Sequence, residues 1–262
     1  MATRAPRASA ALAAYVLHRY DWSESSLILD LFTREQGRLT VVAKGAKRPY
    51  SQLRPVLLPF QRIHVSLGRV PKAGASDEPA GDIQTLRAAE WAGGAAMLTG
   101  AALFSGFYLN ELLMKLLARH DPHVELFDAY AQTLPLLGAS EEAAVQSALR
   151  AFELSLLMHI GVLPDLSRVT LTLEPVREDV DYTLLAEAGV GAMRAGEGTV
   201  TGDILVGLQA ALVHGSLPAL QQACARNLPA IRGLLRGLLH YHLGSNVLRT
   251  RQVMLDVQTL ER

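Results

Sequence analysis

The 262-residue chain has 25 basic and 25 acidic residues, but they are segregated: residues 1–90 carry 13 Lys or Arg against 8 Asp or Glu, residues 91–220 carry 6 against 15, and residues 221–262 carry 6 against 2. Half of the residues are apolar, enough for a large core and for two domains rather than one. The single cysteine, Cys224, excludes an internal disulfide and a cysteine-based structural zinc site, which fits a reducing cytoplasm.

The first ninety residues show the alternation and turn signals of short β-strands. Strands are predicted at 14–21, 26–33, 38–44, 60–67 and 82–90, with a Pro/Gly/Ala/Ser-rich loop at 70–81. Gly37 ends a hairpin turn and is suited to a positive φ. Phe32 and Phe60 are expected in the barrel core. Five short strands indicate a small β-barrel, and the OB-fold is the commonest such barrel that binds nucleic acid.

Positive charge is concentrated in this barrel region. Nine of the ten charged residues between Arg34 and Lys72 are basic, namely Arg34, Arg38, Lys44, Lys47, Arg48, Arg54, Arg62, Arg69 and Lys72. Such an excess is expected of a surface that meets a polyanion, although cations also protect exposed strand edges from aggregation. If the partner is a nucleic acid, we predict that Arg34, Arg38, Lys44, Lys47, Arg48 and Arg54 contact it and that Tyr50 stacks on a base.

From about residue 92 the apolar residues recur with a helical period. The stretch 91–110 has no charge, and because several glycines dilute it, a buried central helix is favoured over a membrane span. Asp121-Pro122 and Ser140-Glu141-Glu142 are helix-start signals, and the second predicts a helix at 141–160. Helix returns at 201–244, with breaks at 215–218 and near Pro229.

The segment between these helices, 165–200, is irregular and acidic, with short Val/Thr-rich pieces that are compatible with a small hairpin. We expect it either to be held by packing of Val169, Leu171, Leu173 and Leu184 or to be partly mobile. The resulting prediction is an α+β protein with an OB-fold at 1–90 and a helical domain at 91–262 that carries an irregular insert at about 163–200.

No catalytic or cofactor motif is recognisable. Gly189-Val-Gly191 begins like a dinucleotide-binding loop, but the third glycine is missing and there is no phosphate-binding loop. The histidine pairs His120/His123 and His240/His242 lack a third ligand at a suitable spacing. We therefore predict no enzyme activity, no cofactor and no metal site.

Six motifs in chain order carry a family likeness. In the predicted barrel they are residues 16–25 (VLHRYDWSES), 29–38 (LDLFTREQGR) and 42–47 (VAKGAK); further on they are 106–113 (GFYLNELL), 150–157 (RAFELSLL) and 248–251 (LRTR). Together they resemble the RecO family of bacterial recombination mediator and DNA-repair proteins over almost the whole chain. The likeness weakens between residues 163 and 200.

The resemblance implies an OB-fold followed by a helical domain, in a bacterial cytoplasmic, nucleoid-associated protein. RecO proteins bind single- and double-stranded DNA, anneal complementary strands and recognise the acidic, apolar C-terminal tail of single-strand-binding protein. With RecR they promote RecA loading. Arg150 occupies the motif position expected to hold that tail. Many members carry a four-cysteine zinc module, but residues 163–168 (LPDLSR) contain no cysteine, so the chain resembles the metal-free branch.

Alternatives remain open at this level. The chain is also compatible with a protein-interaction scaffold that makes no direct DNA contact, or with a membrane-associated protein that uses residues 91–110. Arg150 could instead form an exposed ion pair with Glu153, worth roughly 0–1 kcal/mol, and with either role Arg150→Ala is expected to leave the fold intact. A C-terminal basic patch of Arg226, Arg232, Arg236, Arg249 and Arg251 could touch either DNA or a partner protein.

Overall fold

A computed structural model of the chain describes residues 11–68, 83–94, 97–193, 198–244, 248–250 and 252–253. The chain divides into two compact units. The first, the barrel unit, comprises Met1–Met97 and Leu117–Phe127, and the second, the helical unit, comprises Leu98–Leu116 and Asp128–Arg262. Each unit is described by itself below.

The barrel unit contains a closed five-stranded β-barrel. Its strands are β1 (Leu12–Asp21), β2 (Leu27–Thr33), β3 (Gly37–Ala43), β4 (Arg62–Leu67) and β5 (Ile83–Trp91). They follow the order β1-β2-β3-β5-β4, and β4 pairs with β1 to close the barrel, with only the β3–β5 pair parallel. This is the OB-type arrangement, so the predicted fold is confirmed. Gly37 has the expected positive φ of 69°.

Alternation along the strands separates the barrel core from the outer surface. The core cluster includes Leu29 and Leu31 of β2 and Leu39 and Val41 of β3. Phe32 is fully buried as predicted, but it points to the other side of the sheet, where its ring lies 5.3 Å from that of Phe127. The barrel therefore has an apolar interior and a second buried contact on its outer face.

The prediction of one helix over 91–110 is wrong. Trp91 is the last residue of β5, and the first helix, α1 (Gly100–Leu116), begins nine residues later. Gly93 and Gly94 have φ values of 92° and 146°, which a helix does not permit, and this explains why the uncharged stretch begins as strand and loop. In the parts of the chain that the structure describes, no helix is long and apolar enough to cross a membrane.

The helical unit is built mainly from α1, most of α2 (Val124–Leu136), α3 (Glu142–His159), α4 (Gly202–His214), α5 (Leu217–Ala225) and α6 (Leu228–Leu243). The predicted breaks at 215–218 and near Pro229 are confirmed. Two starts differ from prediction: α2 begins two residues after Pro122, and Glu141 rather than Ser140 is the N-cap of α3, without a side-chain cap hydrogen bond. Gly161, with φ of 74°, follows the end of α3, close to the predicted end of this helix at residue 160.

The insert between α3 and α4 contains the expected small sheet. Strand β6 (Asp181–Leu185) pairs antiparallel with β7 (Gly189–Ala192) and with the short β8 (Val200–Thr201). The predicted packing is wrong for two residues, since Leu171 and Leu173 are 83% and 65% exposed. They lie in a tight turn closed by a 2.9 Å hydrogen bond from the Val169 N–H to the Glu174 carbonyl, and this turn holds their side chains in solvent.

Candidate nucleic-acid interface

The basic loop that follows β3 is held rigidly against the end of the barrel. Ala46 and Leu57 are buried in the barrel core, and the Lys47 N–H donates to the Ser25 carbonyl at 3.0 Å. Successive turns connect these points, including Ser51 N–H to the Arg48 carbonyl at 3.0 Å. The loop backbone is therefore fixed, and binding at this surface would mainly order side chains.

The predicted contact residues of this loop project from the fixed backbone. Lys44, Arg48, Tyr50 and Arg54 are exposed, and Tyr50 is the extreme case at 94%. Lys44, Arg48 and Arg54 form no ion pair with any residue that the structure describes. We call Lys44, Lys47, Arg48 and Arg54 the loop cations. Three of them thus carry positive charge that no described carboxylate neutralises by direct contact.

Beside the loop is an open cleft of about 430 Å³ lined by Arg19, Asp21, Leu27, Ala46, Lys47 and Arg54. The Lys47 ammonium lies 3.1 Å from the Asp21 carboxylate, and the Arg19 guanidinium donates to the Leu57 carbonyl at 3.3 Å. Among the described residues, Lys47 is therefore the one loop cation with an acidic partner, and that partner is itself 81% exposed on its side chain.

Sequence reasoning missed Arg19 and Asp21, because their direction depends on an irregularity in β1. The β1–β2 register shifts between Val16 and His18, so the residues after this bulge face differently from what simple alternation implies. Arg87 was also missed. Thr85 on β5 pairs with Val42 on β3, which places Arg87 toward the same end of the barrel as Lys44.

The structure does not bring all the predicted DNA contacts together. Arg38 is the second residue of β3 and Lys44 follows its last residue, so six residues of extended chain, on the order of 20 Å, separate them. Arg34 lies in the turn before β3, at the Arg38 end. The prediction of one cluster is thus corrected to two groups at opposite ends of one strand.

Arg38 also has a different electrostatic setting from the loop cations. Burial lowers the pKa of its guanidinium; the Asp30 charge opposes that shift, and the nearby Arg119 adds to it. Asp30 is itself buried and accepts hydrogen bonds from Thr40 Oγ1 at 2.7 Å and Tyr20 Oη at 3.2 Å. Arg38 is half-buried, so less of its charge is available at the surface than that of Lys44 or Arg48.

In the helical unit, Arg150 on α3 lies in a buried polar cluster. Its Nη2 is 2.7 Å from Glu153 Oε1, and the two side chains are 11% and 0% exposed. Tyr108 Oη donates to the same oxygen at 2.6 Å, whereas Glu153 Oε2 and Arg150 Nε have no hydrogen-bond partner among the described residues. Burial raises the pKa of Glu153, although Arg150, Tyr108 and Arg232 act in the opposite direction.

This geometry corrects the expectation of an exposed pair. The pair with Glu153 exists, but its carboxylate is removed from solvent, so the small value of a surface ion pair does not apply. The helical period contained the signal for this, because Glu153 lies four residues after Leu149 and next to Phe152 on the buried face of α3. Whether Arg150 also holds a partner's carboxylate stays a prediction.

The other cations singled out in the sequence lie partly within and partly outside the residues that the structure describes. Arg226, Arg232, Arg236 and Arg249 are exposed in the helical unit, and Arg62 is half-buried at the start of β4. Arg69, Lys72 and Arg251, like the predicted loop 70–81, lie outside the described residues. Across the ranges that the structure does describe, no three His, Cys, Asp or Glu side chains come together as a metal site.

Comparison with known proteins matches two parts of the chain to two family models. The family described as "Recombination protein O N terminal" matches residues 9–76, and "Recombination protein O C terminal" matches residues 97–252. Proteins named "DNA repair protein RecO" are similar over 94% of this chain and 96% of their own length. Those of Polaromonas sp. (strain JS666 / ATCC BAA-500), Polaromonas naphthalenivorans (strain CJ2) and Variovorax paradoxus (strain S110) are 50%, 51% and 50% identical.

Proposed function

The chain belongs to the RecO family of DNA repair proteins, and on that basis we propose that it is a non-enzymatic mediator of repair and recombination that binds single- and double-stranded DNA and anneals complementary strands. The observation that carries the DNA-binding part is the fixed loop after β3, where Lys44, Arg48 and Arg54 are exposed and form no ion pair with a described residue.

These loop cations suit annealing because base pairing itself supplies the free energy. The protein needs only to neutralise phosphates so that two anionic strands can approach, and each neutralised phosphate releases counterions. Tyr50, which is almost fully exposed beside Arg48, is the proposed stacking platform for a base and would add roughly 1–3 kcal/mol. Arg34 and Arg38 would contact the strand further along, at the other end of β3.

The proposed protein partners come from the family resemblance. We propose that the helical unit binds the acidic C-terminal tail of single-strand-binding protein and that the chain acts with RecR in loading RecA. Arg150 is the residue proposed to hold the tail: 11% of its side chain remains exposed beside the pair with Glu153, and a guanidinium can offer a carboxylate a planar fork of donors.

The experiment that tests DNA binding is a salt series with a single-stranded oligonucleotide. Reversing Lys44, Lys47 and Arg48 to glutamate should nearly abolish binding and reduce the slope of log K against log salt by about 2, at roughly 0.7 for each lost phosphate contact. A second pair of single variants controls for net charge: Lys44→Glu is the test, and Arg177→Glu is its control, because Arg177 is an exposed cation of the helical unit.

Lys44→Glu should weaken binding strongly, whereas Arg177→Glu should not. A triple variant that binds single strands like the parent, with the same salt slope, would show that the loop is not the DNA contact. Weak, salt-insensitive binding by the parent itself would instead favour a protein-interaction scaffold.

A further inference from the structure

The C-terminal part of the helical unit carries a second concentration of positive charge. Between Asp203 and Asp256 the sequence contains no acidic residue, and α5 and α6 lie within this stretch. The exposed positions of α6 recur at three- and four-residue steps and so form one face; they are Pro229, Arg232, Gly233, Arg236, Gly237 and Tyr241. We call this set the α6 face. It is cationic and lacks any carboxylate of its own.

The charges of this face are available to a ligand. Arg236 makes no ion pair or hydrogen bond with any residue that the structure describes, and Arg232 has only a longer-range interaction with the buried Glu153. The two arginines are four residues apart, which places them about 6 Å apart along the helix axis on the same side. Tyr241 is 53% exposed and adds an aromatic ring toward the end of the helix.

The α6 face also contains two glycines: Gly233, which lies between the arginines, and Gly237, which follows Arg236. A Cβ added at Gly233 or Gly237 would meet no heavy atom within 4 Å, so packing within the described residues does not require either glycine. Glycine in a helix interior is less favourable than alanine, and one benefit that can offset this is close approach of the backbone to a ligand. A strand that approaches these glycines closely would make a tight contact with the helix backbone, which a purely diffuse attraction to the arginines would not.

We propose that the α6 face binds the sugar–phosphate backbone of a second nucleic-acid strand. Exposed guanidinium groups without carboxylate partners fit phosphates, and an adjacent exposed tyrosine fits an unstacked base. The proposal rests on the proposed function only for the nature of the occupant. It adds a separate strand-binding site in the helical unit, as annealing of two strands would use.

The test is a bridging assay with two non-complementary single strands, one carrying a donor and the other an acceptor fluorophore. Full-length protein that holds both strands gives energy transfer. Arg232→Gln/Arg236→Gln should lower the bridging signal about tenfold while affinity for the first strand changes by less than about twofold. The control Arg168→Gln/Arg177→Gln removes two exposed charges from the same unit and should leave bridging unchanged.

Glycine variants provide a readout that a purely structural role would not give. Gly233→Ala/Gly237→Ala should raise the melting temperature and at the same time weaken bridging, whereas Gly207→Ala in the interior of α4 should not weaken it. Arg236→Gln alone keeps the test readable if loss of Arg232 affects the buried Glu153.

The outcomes separate this proposal from the proposed function. Unchanged bridging in Arg232→Gln/Arg236→Gln overturns the α6 site and leaves the barrel site standing. Stabilised glycine variants with full bridging also overturn it, since close approach of the strand would be absent. Loss of first-strand binding in the barrel triple variant tests only the loop cations.

Discussion

The buried pair of Arg150 and Glu153 leads to a quantitative stability prediction. Arg150→Met keeps most of the aliphatic volume but removes the charge that faces a carboxylate with no solvent exposure. Breaking a buried pair in this way typically costs about 3–5 kcal/mol. In the variant, Glu153 can take up a proton instead of remaining a buried charge. The free energy of that protonation depends on pH and is the upper limit on the loss of stability.

That limit follows from the ordinary pKa of glutamate, about 4.3, and from about 1.36 kcal/mol per pKa unit. At about pH 7 the cost of holding Glu153 protonated is therefore at most roughly 4 kcal/mol, and because the parent already bears part of the cost of burying this carboxylate, Arg150→Met should lose up to about 3 kcal/mol of unfolding free energy. Burial raises the pKa of Glu153 in the folded parent as well, so the loss caused by Arg150→Met shrinks as pH falls toward that raised pKa, below which Glu153 is protonated in both proteins.

Urea unfolding followed by far-ultraviolet circular dichroism measures this, since five helices and most of α2 belong to the helical unit. Both tryptophans, Trp22 and Trp91, belong to the barrel unit, so fluorescence reports that unit separately. Arg150→Met/Glu153→Gln is the matched control. It should recover most of the lost stability, because the amide oxygen introduced at this position is uncharged and can still accept the Tyr108 hydrogen bond.

A loss below about 1 kcal/mol at neutral pH, or a loss that does not vary with pH, would refute the assignment of Glu153 as a buried charge. The same chemistry dictates how Arg150 is tested against the tail of single-strand-binding protein. Arg150→Lys retains the positive charge beside Glu153 but not the planar fork, so it should weaken binding of the tail peptide without the stability loss of Arg150→Met. Unchanged peptide affinity would place the tail elsewhere.

Two further predictions concern the carboxylates that hold basic or C-terminal groups. Asp21→Asn should raise the affinity for single-stranded DNA several-fold, because it releases Lys47 from its ion pair. Glu24→Gln, which makes an equal change of charge in the turn after β1, should not raise this affinity. If Asp21→Asn raises the affinity equally in a protein that already carries Lys47→Gln, release of Lys47 is not the cause. Glu111 accepts hydrogen bonds from the Arg249 and Thr250 N–H groups and the Thr250 hydroxyl; burial alone would raise its pKa, but these bonds and Lys115 lower it. Glu111→Gln should therefore speed hydrogen exchange of the backbone amides at residues 249–250. The difference from the parent should disappear as pH falls through the lowered folded-state pKa of Glu111, because the parent carboxylate is then protonated and its hydrogen bonds are weakened too.

A structural feature can be predicted from the sequence when the residues within it determine its conformation, and not when it depends on how strands pair. The five strands and the Gly37 turn follow from local alternation and from one positive φ, and they are found close to the predicted bounds. The direction of Arg19 and Asp21 depends instead on a bulge in β1 that has no residue signature in the chain. The separation of Arg38 from Lys44 was accessible in principle, since a strand of known length fixes the distance between its ends.

Zero net charge is no argument against nucleic-acid binding in such a chain, because a strand on the surface feels charges only within a limited range. At physiological ionic strength the Debye length is about 8 Å, much less than the roughly 20 Å between the two ends of β3. Glu35, in the turn before β3, is therefore screened from the loop cations, whereas Asp21 contacts Lys47 directly. If the loop is the DNA contact as proposed, its affinity should depend on its own cations and on Asp21, whereas distant acids should matter only when the salt is lowered enough to extend the screening length.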